Sequence, residues 1–266
     1  MNTTRIFATA SLLLTFFASV GQLSAREYYE LRTYRLKSEE KAQLFDKTLG
    51  PAIVEAMEAA AIGPVGIFRP HEVEGAKNQP EKTSEVLRYV FVPYKSIEDW
   101  AGIRDQLKDK GAVWEPALEF IMAEKSDANY TRIESMLLEA PTGFPKLKVP
   151  AKPVDEEGRH FEIRIYESHS IVKGLLKVEM FNEGEFDIFA KVGLNLVFFG
   201  DARVARDLPQ LTYMLVYDND EARAKAWKDF LAHPDWLELK ANKRYKDTVS
   251  KIRSMFVKAT EYSQIK

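Results

Sequence analysis

Tyr29-Glu30-Leu31-Arg32-Thr33-Tyr34 returns later in the chain as Phe161-Glu162-Ile163-Arg164-Ile165-Tyr166. Each copy alternates apolar residues with Glu, Arg and Tyr, the period of a strand with two unlike faces. A repeat on this scale points to one structural unit used twice.

The elements that follow each copy come in the same order. After the first, Ser38 with Glu39 and Glu40 opens a helical stretch carrying Leu44, Phe45, Ile53 and Met57, with a kink expected at Gly50-Pro51. Val65–Phe68 and Val86–Val92 read as strands, and Ser96 with Asp99 resembles a capping box before Trp100, Ile103 and Leu107. Tyr130–Leu138 supplies a last strand. After the second copy come a helix with Leu175, Phe181 and Phe189 and a possible break at Gly184, strands at Leu194–Phe199 and Leu211–Tyr217, a helix from Asp220, and a strand at Val249–Phe256. Both halves are β-α-β-β-α-β, the ferredoxin-like order. The expected organisation is a first unit at 26–140, a proline-rich linker at 141–159 that reads as semi-rigid, and a second unit at 160–266. Two such sheets are expected to pack face to face within one chain.

The 266 residues carry a net charge of −2, are 45% hydrophobic and 29% charged, and show no block of like charge, so neither nucleic acid nor an anionic membrane is called for. With no cysteine, disulfides, thiol nucleophiles and thiolate metal sites are excluded. Arg5 precedes twenty uncharged residues, Ile6–Ala25, with an apolar heart at Leu12–Val20 and a small-residue exit at Leu23-Ser24-Ala25. This is the pattern of a signal peptide over residues 1–25, implying export to a periplasm or the exterior and no stable membrane span after cleavage.

Further segments carry a family resemblance. Lys177–Glu185, Val197-Phe198-Phe199-Gly200, Pro209–Leu215, Ala226–Phe230 with His233-Pro234-Asp235-Trp236, Asp247–Ser250 and Tyr262-Ser263-Gln264-Ile265 occur in an order that resembles NIPSNAP domains, from about Phe161 to the C-terminus. The first half looks like a more diverged copy that keeps Glu-Leu-Arg-Thr-Tyr and Trp100. The resemblance implies an α+β fold in which the tandem ferredoxin-like units form an intramolecular dimeric α+β barrel, either as a monomeric pseudo-dimer or as a homodimer. Relatives of that fold include cofactor-free monooxygenases and haem-binding peroxidases, and no reaction is securely attached to NIPSNAP proteins themselves. Fold alone does not transfer a reaction.

The first site candidates are the polar faces of the opening strands, Glu30, Arg32 and Tyr34 with Glu162, Arg164 and Tyr166. If Leu31 and Ile163 meet the helices, both trios face the space between the sheets and could form a polar pocket for a small anion or carbonyl compound. The competing expectation, favoured about two to one, is a Glu–Arg lattice that compensates buried charge. Of four histidines, His71 follows a strand and stands as a candidate base or haem ligand. None has metal-binding spacing, so no metal site is expected. Trp227, Phe230, Trp236, Phe181, Phe186 and Phe189 sit at helical spacing and read as core. The functional expectation is a non-catalytic small-molecule-binding or interaction protein without a cofactor, acting through the barrel interior or an exposed sheet edge. The alternative is a cofactor-free monooxygenase or haem-dependent enzyme.

Overall fold

A computed structural model describes residues 25–79, 85–108, 111–151 and 157–266. The expected signal segment lies outside them, apart from Ala25. In the first unit β1 (Tyr28–Leu36) leads into α1 (Glu39–Leu44), a π turn (Phe45–Leu49) and α2 (Gly50–Ala59). Then come β2 (Gly66–Pro70), β3 (Val86–Tyr94), α3 (Ile97–Lys108), α4 (Gly111–Trp114), α5 (Leu118–Ile121) and β4 (Tyr130–Glu139). The second unit runs β5 (His160–Glu167), α6 (Ile171–Met180), a π turn (Phe181–Glu185), α7 (Phe186–Val192), β6 (Asn195–Val204), β7 (Gln210–Tyr217), α8 (Asp220–Ala232), α9 (Pro234–Ala241) and β8 (Lys251–Ala259).

Local chemistry sets the boundaries. Ser38, Ser96, Ser170 and Asn219 each accept a backbone N–H from three residues on, capping the four long helical stretches. The expected kink is a π turn. Pro51 has no N–H for the carbonyl of Lys47, and Gly50 donates instead to Phe45. The same five-residue step recurs where Phe186 donates to Phe181, and the accepting residues Phe45 and Phe181 are both fully buried.

The strands close into a barrel in the order β1-β3-β2-β8-β5-β7-β6-β4, every pair antiparallel. Within it β4-β1-β3-β2 and β8-β5-β7-β6 are the same arrangement used twice. The two sheets therefore do more than pack face to face: they share edges at two short seams. Phe68–Pro70 pairs with Val257–Ala259, and Leu137–Glu139 pairs with Asp201–Val204. The second seam explains why β6 runs past the expected end at Phe199, since beyond Asp201 its partner strand comes from the other unit. Closure removes the free edges that an interaction by strand addition would need.

The N-terminal end of the described chain ties the first unit to the linker, and the C-terminal end cross-links the two units. The backbone of Glu27 bonds Ala140 and Pro145, while Thr260 and Gln264 bond Ile67 and Val65. Tyr262 reaches into the first unit, its hydroxyl donating to Asp46 at 2.7 Å. Its ring lies so close to Gly50 that a Cβ there would sit 2.5 Å from it. The proline-rich stretch is also docked. Gly143 bonds the Asn182 side chain, Lys148 bonds Val197, and Phe144 is buried with the second unit's helices. Its apolar residues outweigh the stiffness its prolines suggest.

Candidate functional site

The barrel interior is apolar, which corrects the expectation that the polar trios meet there. Tyr29, Leu31, Phe68, Phe91, Phe161, Ile163, Phe198, Met214 and Val257 are buried together inside it. Phe91 stacks on Phe198 across the two units at 4.4 Å, and Phe68 meets Phe161 edge-on at 5.1 Å. Leu31 and Ile163 thus face inward, and the trios face outward beneath the helices of their own unit. An eight-stranded barrel has an interior just wide enough for side chains to fill, and these are apolar at its centre, with charged pairs such as Arg35–Glu134 and Arg253–Glu167 toward one end. Alternation alone could not reveal this, because both faces of each sheet are covered.

Each trio is a separate polar cluster between sheet and helices. In the second unit Arg164 Nη1 donates to Glu162 Oε1 at 2.5 Å and to Ser254 Oγ at 3.0 Å. Its Nε and Nη2 donate to the Tyr166 hydroxyl, which also accepts from Tyr213 at 2.8 Å. Glu162 Oε2 accepts from Tyr217 at 3.1 Å and Trp227 Nε1 at 3.2 Å, with Arg223 Nε 3.5 Å away. Burial works to raise the Glu162 pKa, but Arg164 and then Arg223 outweigh it and hold the carboxyl below its ordinary range. The guanidinium of Arg164 also lies 4.5 Å from the Trp227 ring centre. Beside this cluster, Lys177 donates to Glu185 at 2.6 Å, both buried, and burial pushes the Glu185 pKa up.

In the first unit Arg32 donates through Nε and Nη2 to the two oxygens of Glu30, both at 2.7 Å. Ser135 donates to Glu30 Oε1 at 2.6 Å and Tyr94 to Oε2 at 3.3 Å. Ser135 stands opposite Arg32 as Ser254 stands opposite Arg164, and Tyr94 holds Glu30 as Tyr217 holds Glu162. Burial again opposes ionisation of Glu30, and Arg32 again prevails. The difference is access. The side chains of Arg164 and Glu162 are 10% and 0% exposed, those of Arg32 and Glu30 25% and 7%. Arg32 commits Nε and Nη2 to Glu30, and its charge also acts on the neighbouring Tyr34 hydroxyl, leaving Nη1 outside the Glu30 pair. A cavity of about 240 Å³ borders Tyr94, between the end of α2 and the start of α3.

His71 joins neither cluster. It lies at the β2–β8 seam, its ring 5.5 Å from that of the buried His160. Among the described residues no cluster of His, Cys, Asp or Glu could hold a metal, and no helix is long and apolar enough to cross a membrane. Sequence reading missed Ser135, Ser254, Tyr94 and Tyr217, whose roles depend on strand register. The one signal available was their matching positions in the two copies.

The closed barrel, with paired helical layers outside eight antiparallel strands, defines a protein of the dimeric α+β barrel class, here built within one chain. The fold is shared with a monooxygenase-like protein from Lactobacillus acidophilus (8% identity, TM-score 0.52, covering 88% of this chain and 94% of that one). It is also shared with one from Fusobacterium nucleatum (9% identity, TM-score 0.52, covering 88% and 93%). Such similarity establishes fold alone. The NIPSNAP family model matches residues 161–264, the second unit. A NIPSNAP-like domain protein from Burkholderia xenovorans is 20% identical, covering 40% of this chain and 88% of its own length, with a TM-score of 0.36. No curated protein matches the chain.

Proposed function

We propose that this is an exported, non-catalytic binding protein for a small carbonyl-bearing molecule, seated at Arg32 beneath the first unit's helices. The observation that supports this is a partly exposed guanidinium whose Nε and Nη2 are fixed by Glu30 and whose Nη1 stands outside that pair. Because Glu30 already neutralises Arg32, the remaining N–H suits a neutral oxygen acceptor better than an anion. The second cluster has the same residues with their hydrogen bonds turned inward, and we assign it a structural role.

Native mass spectrometry of the purified full chain tests the proposal. A small-molecule adduct should accompany the wild type and be lost in Arg32→Gln. Protein that is ligand-free in both forms, yet develops a Soret band with added haem or consumes oxygen with an activated aromatic substrate, would transfer the assignment to the enzymatic alternative. Export belongs to the same proposal. Sequencing of protein recovered from outside the cytoplasm should start at Arg26, and a start at Met1 would reject it.

A further inference from the structure

A different site lies where β2 meets β8, at the seam that joins the two units. There Arg69 and Lys258 stand directly opposite each other. Their neighbours Phe68 and Val257 fill the barrel, so strand alternation turns both cations outward. Like charges facing across an antiparallel ladder destabilise it. Lys258 finds a partner in the Glu157 carbonyl oxygen at 2.5 Å. The Arg69 side chain is exposed and makes no hydrogen bond or ion pair among the described residues.

The pair borders a cavity of about 220 Å³ that also includes Arg159 and Lys266, against the carboxylates of Glu157 and Glu261. Arg159 is fixed in place, with Nη1 donating to the carbonyl oxygens of Ala151 and Lys266 and Nη2 to Asp218 at 2.7 Å. Its side chain is nine-tenths buried, and its Nε has no hydrogen-bond partner. Phe161 adds an apolar wall. Burial and then the Lys258 charge depress the His71 pKa, consistent with positive potential at this end of the seam.

We propose that this cavity binds a small oxyanion, a carboxylate or a phosphate, bridging Arg69 of the first unit and Lys258 of the second. The bound anion would convert a repulsive pair into a clamp across the seam. Neither Arg69 nor Lys258 forms an ion pair with a carboxylate among the described residues, unlike Arg32, whose charge Glu30 already balances.

Isothermal titration of the full chain with sodium phosphate and with sodium succinate, against sodium chloride at matched ionic strength, tests this. At least one oxyanion should bind where chloride does not, and the one that does identifies the group recognised. Arg69→Gln and Lys258→Gln should each weaken binding by about tenfold or more. Without ligand, Arg69→Gln should melt at or above the wild-type temperature, because a repulsion is gone, so its loss of affinity cannot be misfolding. Arg206→Gln, at an arginine 79% exposed elsewhere, should bind as the wild type does. So should Arg32→Gln, which separates this site from the one proposed above. Equal affinities in wild type and Arg69→Gln, or no oxyanion binding beyond chloride, would overturn the proposal.

Discussion

In the second unit Glu162 accepts from Arg164, Tyr217 and Trp227, and Arg164 passes its remaining donors to Ser254 and Tyr166. In the first, Glu30 accepts from Arg32, Tyr94 and Ser135, and Nη1 of Arg32 stays outside that pair. The strand residues correspond except that Tyr213 stands opposite Arg164 where Val90 stands opposite Arg32, so the contrast comes from that position and from the helices laid over the strands. Trp227 and Arg223 of α8 close the second cluster, where no residue of α3 bonds Glu30. One repeat thus holds its charges as internal structure, and its twin leaves a donor open to a ligand.

The largest test of that contrast is removal of each guanidinium. Arg164→Gln leaves Glu162 buried with Arg223 as its nearest cation, and should cost about 3–5 kcal/mol in urea unfolding. Arg32→Gln leaves Glu30 with Ser135, Tyr94 and access to water, and should cost about 1–2 kcal/mol. Equal losses would mean that the two clusters do the same structural job, and the assignment of a ligand site to the first would fall.

Acid titration sharpens the comparison. Both Glu162 and Glu30 are held below the ordinary glutamate value of 4.5, in each case because the arginine partner overcomes burial. Below that value the unfolded chain binds protons before the folded one does. The stability these groups contribute is therefore present at neutral pH and is lost as pH falls through their depressed folded values. Glu185, raised by burial, acts in the opposite sense above that window, where the folded state takes up its proton first. Glu162→Gln and Glu30→Gln should both lie below the wild type at pH 7, with the gap closing as pH drops from 4.5 toward 3. The closure should be larger for Glu162→Gln. A gap that stays constant in urea melts across this range would show that the carboxyl is not ionised in the fold.

Much of this was legible in the residues. The repeated Glu-x-Arg-x-Tyr strand and the Ser38 and Ser96 caps gave the duplicated ferredoxin-like order, two copies of it on one chain implied sheets packed face to face, and the family resemblance implied the barrel. The direction of the trios was not legible. Alternation specifies that Glu30 and Leu31 lie on opposite faces, but only tertiary packing decides which face the barrel encloses. The two seams were hidden for a similar reason: Arg69 and Lys258 lie far apart in the chain, and nothing local marks them as partners.

The smallest predicted effect isolates the hydroxyls that hold each carboxylate. Tyr217 donates to Glu162 at 3.1 Å in a fully enclosed cluster, so Tyr217→Phe removes a hydrogen bond to a charged group that water cannot replace, at about 1–2 kcal/mol. Tyr94 donates to Glu30 at the longer distance of 3.3 Å, beside a cavity from which water can substitute, so Tyr94→Phe should cost about 0.5 kcal/mol. Both substitutions keep the ring and its packing, so the difference between them reports solvent access at the carboxylate and little else. Urea unfolding of the pair would reverse the ranking only if the first cluster were the more enclosed of the two, and Arg32 would then have no open side from which to reach a ligand.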